Sequence, residues 1–242
     1  MAIILDDATF DAGFRFTGLD PEALGLALCA EACFEPVARR IGYGPDTFPS
    51  GEKAGRIRTV IDQGIEAVVL AGLGRPANLT EWGKGFFLAG PVRVESARWS
   101  HVVRQSKEPQ DLYGFVLTLG EGFDRLKADA GLFDAYVLDG LGSEIVEQAA
   151  DGVEKRLRAW CATRNRGCSR RFSPGYCDWP LAQGQQALAA FLQPAAIDVT
   201  MLATGAMVPS KSISGAVITA RSLPLSCPCP VCNQTDCSWR RE

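Results

Sequence analysis

The feature that most limits how this 242-residue chain can fold is a long apolar period in its second half. From about 133 to 158, Tyr136, Leu138, Leu141, Ile145, Val146, Ala149, Val153 and Leu157 fall on one stripe at helical spacing, so a long helix must bury that stripe against other elements. Asp139, Ser143 and Glu147 recur every four residues on an adjoining face. Ahead of the helix, Tyr113-Gly114-Phe115-Val116-Leu117-Thr118-Leu119-Gly120 is the most strand-like segment of the chain, and 121–130 reads as a short helix.

The remaining segments are read from the same signals. Residues 1–20 mix apolar and acidic side chains without a clear period. Asp20 and Pro21 open a stretch to Cys33 that reads as a helix, with Asp20 as N-cap, Pro21 at the first position and Cys29 and Cys33 packed on one face. Residues 43–51 form a loop, and 52–63 a second helix. Residues 67–71 read as a buried strand ending in a turn at Gly72-Leu73-Gly74, which lacks the third glycine and the acidic partner of a dinucleotide fingerprint. Residues 86–103 read as a hairpin around Gly90-Pro91, with His101, the only histidine, in a strand-like context and in a structural role. A helix over 181–192 and strands over 197–200 and 213–219 complete the set.

Composition narrows the class of protein. With 47% hydrophobic side chains the chain can bury a sizeable core, and a net charge of −3 without a basic run argues against a nucleic-acid surface. The apolar start, Ala2 to Leu5, runs into two aspartates and is too short and acidic for a signal peptide. No apolar run is long enough to cross a bilayer, so a cytoplasmic protein is expected. Nine cysteines in a chain of this length point to reduced thiols and a metal site rather than a disulfide framework. Cys161, Cys168 and Cys177, spaced by seven and nine, fit no ordinary zinc knuckle and read as incidental thiols.

Chemistry concentrates in Arg171-Phe172-Ser173-Pro174-Gly175-Tyr176, which sets a fixed cation, a rigid turn and an aromatic hydroxyl within six residues. This run resembles the R-x-x-P-G-Y motif of the S-adenosylmethionine-binding activation domain of cobalamin-dependent methionine synthase. Two further blocks resemble the family in order and spacing: Leu138-Asp139-Gly140-Leu141-Gly142-Ser143-Glu144-Ile145-Val146-Glu147 upstream, and Met207-Val208-Pro209-Ser210-Lys211-Ser212-Ile213-Ser214-Gly215 downstream. The match spans roughly 112–221. One departure is Met201-Leu202-Ala203-Thr204, where members usually carry Leu-Thr-Glu-Ser and this chain has Ala203 in place of the acidic residue.

The last sixteen residues hold Cys227, Cys229, Cys232 and Cys237, a C-x-C-x-x-C-x4-C array that four thiolates can close around one centre. An iron–sulfur cluster and zinc both accept this set, and the order differs from the C-x3-C-x-x-C of radical S-adenosylmethionine enzymes. The tail is expected to be separable from the ligand pocket.

The resemblance implies an α+β fold, a mixed and mainly antiparallel sheet with packed helices. It divides the chain into an N-terminal α/β lobe (1–105), an activation-like domain (106–222) and a cysteine-rich tail (223–242). It further implies that Arg171 holds the methionyl carboxylate of S-adenosylmethionine, that Glu147 holds its ammonium, and that Pro174, Gly175, Tyr176, Met207, Pro209 and Ser212 complete the site. The implied function is support of reductive methylation of cob(II)alamin. The chain lacks a D-x-H-x-x-G segment, so the cobalamin belongs to a corrinoid protein or core methionine synthase, with an electron donor as a further partner. A module that binds S-adenosylmethionine without passing on its methyl is the alternative.

Overall fold

The structure, a computed structural model, describes residues 7–237. The apolar-to-acidic start at Ala2–Leu5 and the tail residue Trp239 lie outside the described residues. In chain order the elements are α1 (Asp7–Ala12), β1 (Phe14–Thr17), α2 (Ala30–Arg40), α3 (Gly51–Glu66), β2 (Ala71–Trp82), β3 (Phe86–Ala89), β4 (Val92–Glu95) and α4 (Ala97–Gln105). There follow β5 (Lys107–Thr118), α5 (Glu121–Asp129), α6 (Leu132–Thr163), β6 (Gly167–Cys168), α7 (Leu181–Leu192), β7 (Thr200–Met201), β8 (Met207–Val208) and β9 (Ser212–Ser222).

The strand-like segment at 113–120 becomes β5, the centre of the molecule. It pairs antiparallel with β2 on one side and β9 on the other, within a sheet of order β4-β3-β2-β5-β9-β6, and β1 adds to the first half of β2. Both faces of β5 are covered, and its residues divide with the period of two that a strand imposes. Tyr113, Phe115 and Leu117 join the core under α6, α2 and α3, whereas Leu112 and Val116 join a second core with α4 and α7. The fold is therefore α+β, with helices on both faces of a mainly antiparallel sheet. Residues 71–82 and 107–118 are neighbours in this sheet, so the strands on either side of position 105/106 share one core.

The long apolar stripe is α6, which extends from Leu132 to Thr163 and buries Val137, Leu141, Ile145, Ala149, Val153 and Leu157 completely or nearly so. Gly152 admits the chain after β1: a Cβ there would stand 2.5 Å from the Leu24 carbonyl oxygen.

Four local expectations are corrected. Asp20 does accept a hydrogen bond from Glu22 N at 3.0 Å, but the turn it opens ends at Gly25, with φ of 78°, and the helix starts only at Ala30, capped by Cys29 Sγ accepting from Ala32 N at 3.4 Å. The strand expected at 67–71 begins at Ala71 and continues through Gly72 and Gly74. These glycines mark no turn; they leave room for the rings of Phe16 and Phe14, which a Cβ would meet at 2.6 and 2.7 Å. The hairpin at Gly90-Pro91 is present, but it ends at Glu95, and His101 lies half-buried on α4. The strand expected at 197–200 is a 3-10 turn (Pro194–Ile197) leading into the two-residue β7.

Candidate functional site

The six-residue run follows β6 and lies antiparallel alongside β9. Phe172 bridges Ala216 in both directions, at 2.9 and 2.8 Å, which fixes the backbone on either side of it. Beyond it Tyr176 N donates to Ser173 O at 3.1 Å around Pro174 and Gly175, and Gly175 takes φ of 90°. This is the hydrogen bonding of a type II turn, in which proline suits the second position and only glycine fits the third without strain. Gly175 N in turn donates to Trp179 O at 2.9 Å, so the loop folds back on itself.

Arg171 is buried, with only 3% of its side chain exposed. Its Nη2 donates to Glu147 Oε2 at 2.8 Å and to Asp151 Oδ1 at 3.1 Å, and its backbone N–H donates to Glu154 Oε2 at 3.0 Å. Burial alone would lower its pKa, but the two carboxylates outweigh that and hold the guanidinium above its ordinary value. Its Nε is buried without a partner among the described residues. The aliphatic part lies over Gly215, where a Cβ would stand 3.1 Å from Cγ and Cδ.

The polar face of α6 thus carries a ladder of ion pairs whose carboxylates still reach solvent. One level is Asp139 and Ser143, each 2.9 Å from Lys211 Nζ, with Lys127 at 3.1 Å from Asp139; the next is Glu147 and Asp151 on Arg171. Burial would raise the Asp139 pKa, yet Lys211 and Lys127 lower it below the usual carboxylate value. Lys211 also ties this ladder to the downstream block. There Ser212 Oγ donates to Pro209 O at 2.7 Å and lies 2.9 Å from Thr118 Oγ1, and a cis bond joins Val208 to Pro209. Met207 pairs with Met201 in the β7–β8 hairpin, whose exposed tip carries Ala203.

The structure therefore joins Glu147 directly to Arg171 and sets Gly175 and Tyr176 next along the chain. Pro209 and Ser212 connect to the same helix through Lys211, one level up the ladder. Sequence reasoning passed over Asp151, Glu154 and Asp178. The i,i+4 spacing of Glu147 with Asp151 and of Glu154 with Arg158 was the available signal for the first two.

Asp178 carries no such local signal, because it acts across 80 residues. Its Oδ2 accepts from Ala97 N at 2.9 Å and Arg98 N at 3.2 Å, and its Oδ1 accepts from Ser96 Oγ at 2.5 Å. A carboxylate at these N–H groups satisfies the first turn of α4 and complements its dipole. Replacing Asp178 by Ala is expected to cost about 1–2 kcal/mol of stability, read as a shift in the urea midpoint, with Asp178→Asn recovering part of it. An unchanged midpoint would mean that the contact does not hold the loop to α4.

The start of the tail docks on the same loop. Arg170 N donates to Ser226 O at 2.7 Å, and Cys227 is 3% exposed within the core that includes Trp99, Phe172 and Trp179. A cavity of about 50 Å³ between tail and loop is bordered by Arg171, Tyr176, Cys177, Cys227 and Cys229. An adjoining one of about 230 Å³ is bordered by Cys177, Cys229, Cys232 and Cys237 together with Arg98 and Gly175. Among the described residues no three Cys, His, Asp or Glu side chains stand close enough to hold one metal ion. No helix among them is long and apolar enough to cross a membrane.

A mainly antiparallel sheet clamped by one long helix, with an arginine-proline-glycine loop bridged to β9, makes up the α+β fold. A crystal structure of the MetH reactivation domain bound to AdoHcy matches it with a TM-score of 0.61 over 94% of this chain and 86% of that one, at 12% sequence identity. At that identity the likeness is one of fold. No protein-family model and no curated protein matches the sequence.

Proposed function

We propose that this chain binds S-adenosylmethionine at the Arg171–Tyr176 loop and supports reductive methylation of cob(II)alamin carried by a separate corrinoid protein or core methionine synthase. The observation that carries the reading is Arg171 itself, a buried guanidinium with an unpartnered Nε, set beside two carboxylates and a glycine turn. A buried donor without a partner is costly unless a ligand satisfies it, and a guanidinium is suited to a carboxylate. Glu147 and Asp151 leave the site with one negative charge in excess of Arg171. That excess suits a ligand whose ammonium and sulfonium outnumber its carboxylate. Gly175 keeps the turn bare of a side chain, and the Tyr176 hydroxyl offers a polar edge.

The resident metal centre belongs to the same proposal. The tail cysteines Cys229, Cys232 and Cys237 line a cavity of about 230 Å³, and as thiolates they would form a donor set that fits an iron–sulfur cluster, with zinc as the alternative. When bound, such a cluster would supply one-electron chemistry to a reaction in which cobalt is reduced and methylated. The chain's own contribution is to hold and orient S-adenosylmethionine, with an electron donor and the corrinoid protein as partners.

The test has two stages. Calorimetry on the native protein is expected to show S-adenosylmethionine binding, and an absence of binding would end the proposal. Incubation with a cob(II)alamin-loaded corrinoid protein, S-adenosylmethionine and a strong reductant is then expected to form methylcobalamin. Binding without methylcobalamin would identify a module that binds the ligand but does not pass on its methyl.

A further inference from the structure

We propose that the metal centre is a cluster ligated by Cys177, Cys229, Cys232 and Cys237, so that the ligand loop itself supplies one thiolate and Cys227 is a packing residue. This rests on the reading of the tail as an iron–sulfur site and changes which residues build it.

The cysteine array alone suggests four ligands within eleven residues, but the fold divides those four between two environments. Cys227 is 3% exposed, packs into the apolar core and meets the Cys229 thiol, but it borders only the smaller cavity of about 50 Å³ and not the larger one. Cys229, Cys232 and Cys237 face a cavity of about 230 Å³, and the fourth thiol on its wall is Cys177, from the loop. Cys177 directly follows Tyr176 and is exposed, and its φ of 54° is a left-handed conformation that a non-glycine residue adopts only when its surroundings hold it there. Here the neighbours do so: Trp179 N donates to Tyr176 O at 3.1 Å, and Asp178 is tied to the start of α4.

Cavity size favours a cluster over a single ion. Four thiolates on one zinc all stand about 2.3 Å from it, which leaves no cavity of this volume between them. These thiols border an open space, which an inorganic iron–sulfide core has the bulk to fill. Arg98 also lines the cavity, and its charge would offset the negative charge of a thiolate-bound cluster. Ligation by Cys177 would place the centre one residue from the tyrosine of the S-adenosylmethionine motif.

The full chain and its Cys177→Ala, Cys227→Ala and Cys229→Ala variants would be reconstituted without oxygen from ferrous iron and sulfide. Iron and sulfide per chain, visible absorption and the electron paramagnetic resonance of the reduced protein would then be measured. The expected result is that Cys177→Ala and Cys229→Ala each lose at least half of the bound iron and sulfide. Cys227→Ala should retain the wild-type content and spectrum while melting at a lower temperature. Because Cys177 is exposed, its variant should keep the wild-type circular dichroism, which separates loss of a ligand from loss of the fold. Wild-type iron and sulfide in Cys177→Ala, with loss in Cys227→Ala, would overturn the ligand set and leave the iron–sulfur reading in place. Failure of the wild-type chain to take up iron and sulfide, or uptake of a single zinc ion instead, would overturn the iron–sulfur reading and this proposal with it.

Discussion

Replacing Arg171 by Ala is expected to weaken S-adenosylmethionine binding by about 2–4 kcal/mol, roughly 30- to 900-fold, while leaving a folded protein. The proposed carboxylate loses its only buried cation, and no neighbouring residue is placed to substitute. Lys211, just before β9, is engaged by Asp139 and Ser143, and Arg170 is paired with Glu154 at 3.6 Å. The fold is less exposed to the change than the burial of Arg171 suggests. Breaking a fully buried ion pair costs several kcal/mol, but here the partners reach water: the Glu147 side chain is 27% exposed and that of Asp151 66%. Both carboxylates can rehydrate, and Glu154 still accepts the backbone N–H of residue 171. Arg171→Lys keeps the charge and loses the fork, and should fall between the two. Calorimetry gives the affinities and thermal melting the stabilities. A folded Arg171→Ala protein with wild-type affinity would remove Arg171 from the ligand site.

The parts of this molecule that were legible in its sequence are those whose signal is local. The helix expected at 181–192 is found with those ends because the run of Leu, Ala and Gln is stopped at Gln193, which takes φ of 58°, and Pro194 cannot continue it. The long helix was visible through its stripe, and the central strand through its β-branched and aromatic content. Where a distant group decides, local reading failed. Trp99, Val102 and Val103 argued for a strand, but Ser96 and Asp178 cap that segment as α4, and Asp178 lies some 80 residues away. Gly72 and Gly74 looked like a turn because the Phe14 and Phe16 rings that need their space belong to a strand with no clear period of its own. The candidate site divides in the same way. Glu147 and Arg171 could be named from the resemblance, whereas Asp151, Asp178 and the approach of Cys177 to the tail depend on how α6, α4 and the tail meet.

Phe172 is the residue on which the loop's rigidity depends, and its removal should separate stability from binding in the sense opposite to Arg171. Its ring stacks on Trp99 at 3.9 Å between centroids, with planes 21° apart, and meets Trp179 at 5.2 Å and Phe87 at 6.4 Å. At 2% exposure its ring is buried, so Phe172→Ala leaves a cavity between two tryptophans that α4 and the loop hold apart. The expected cost is about 3–5 kcal/mol, which for a domain of this size lowers the melting temperature by roughly 6–20 °C. Phe172→Leu refills much of the volume and should recover more than half of that loss. Ligand affinity should change far less, because the backbone of residue 172 remains bridged to Ala216 on both sides and Ser173 Oγ still donates to Ser214 O at 2.7 Å. Below the melting transition of the variant, binding within about tenfold of wild type is expected, against the far larger loss in Arg171→Ala. A melting temperature within 2 °C of wild type would show that the ring stack is not what holds the loop. A loss of affinity as large as that of Arg171→Ala in a folded Phe172→Ala protein would show that the turn takes its shape from the ring stack rather than from its bonds to β9.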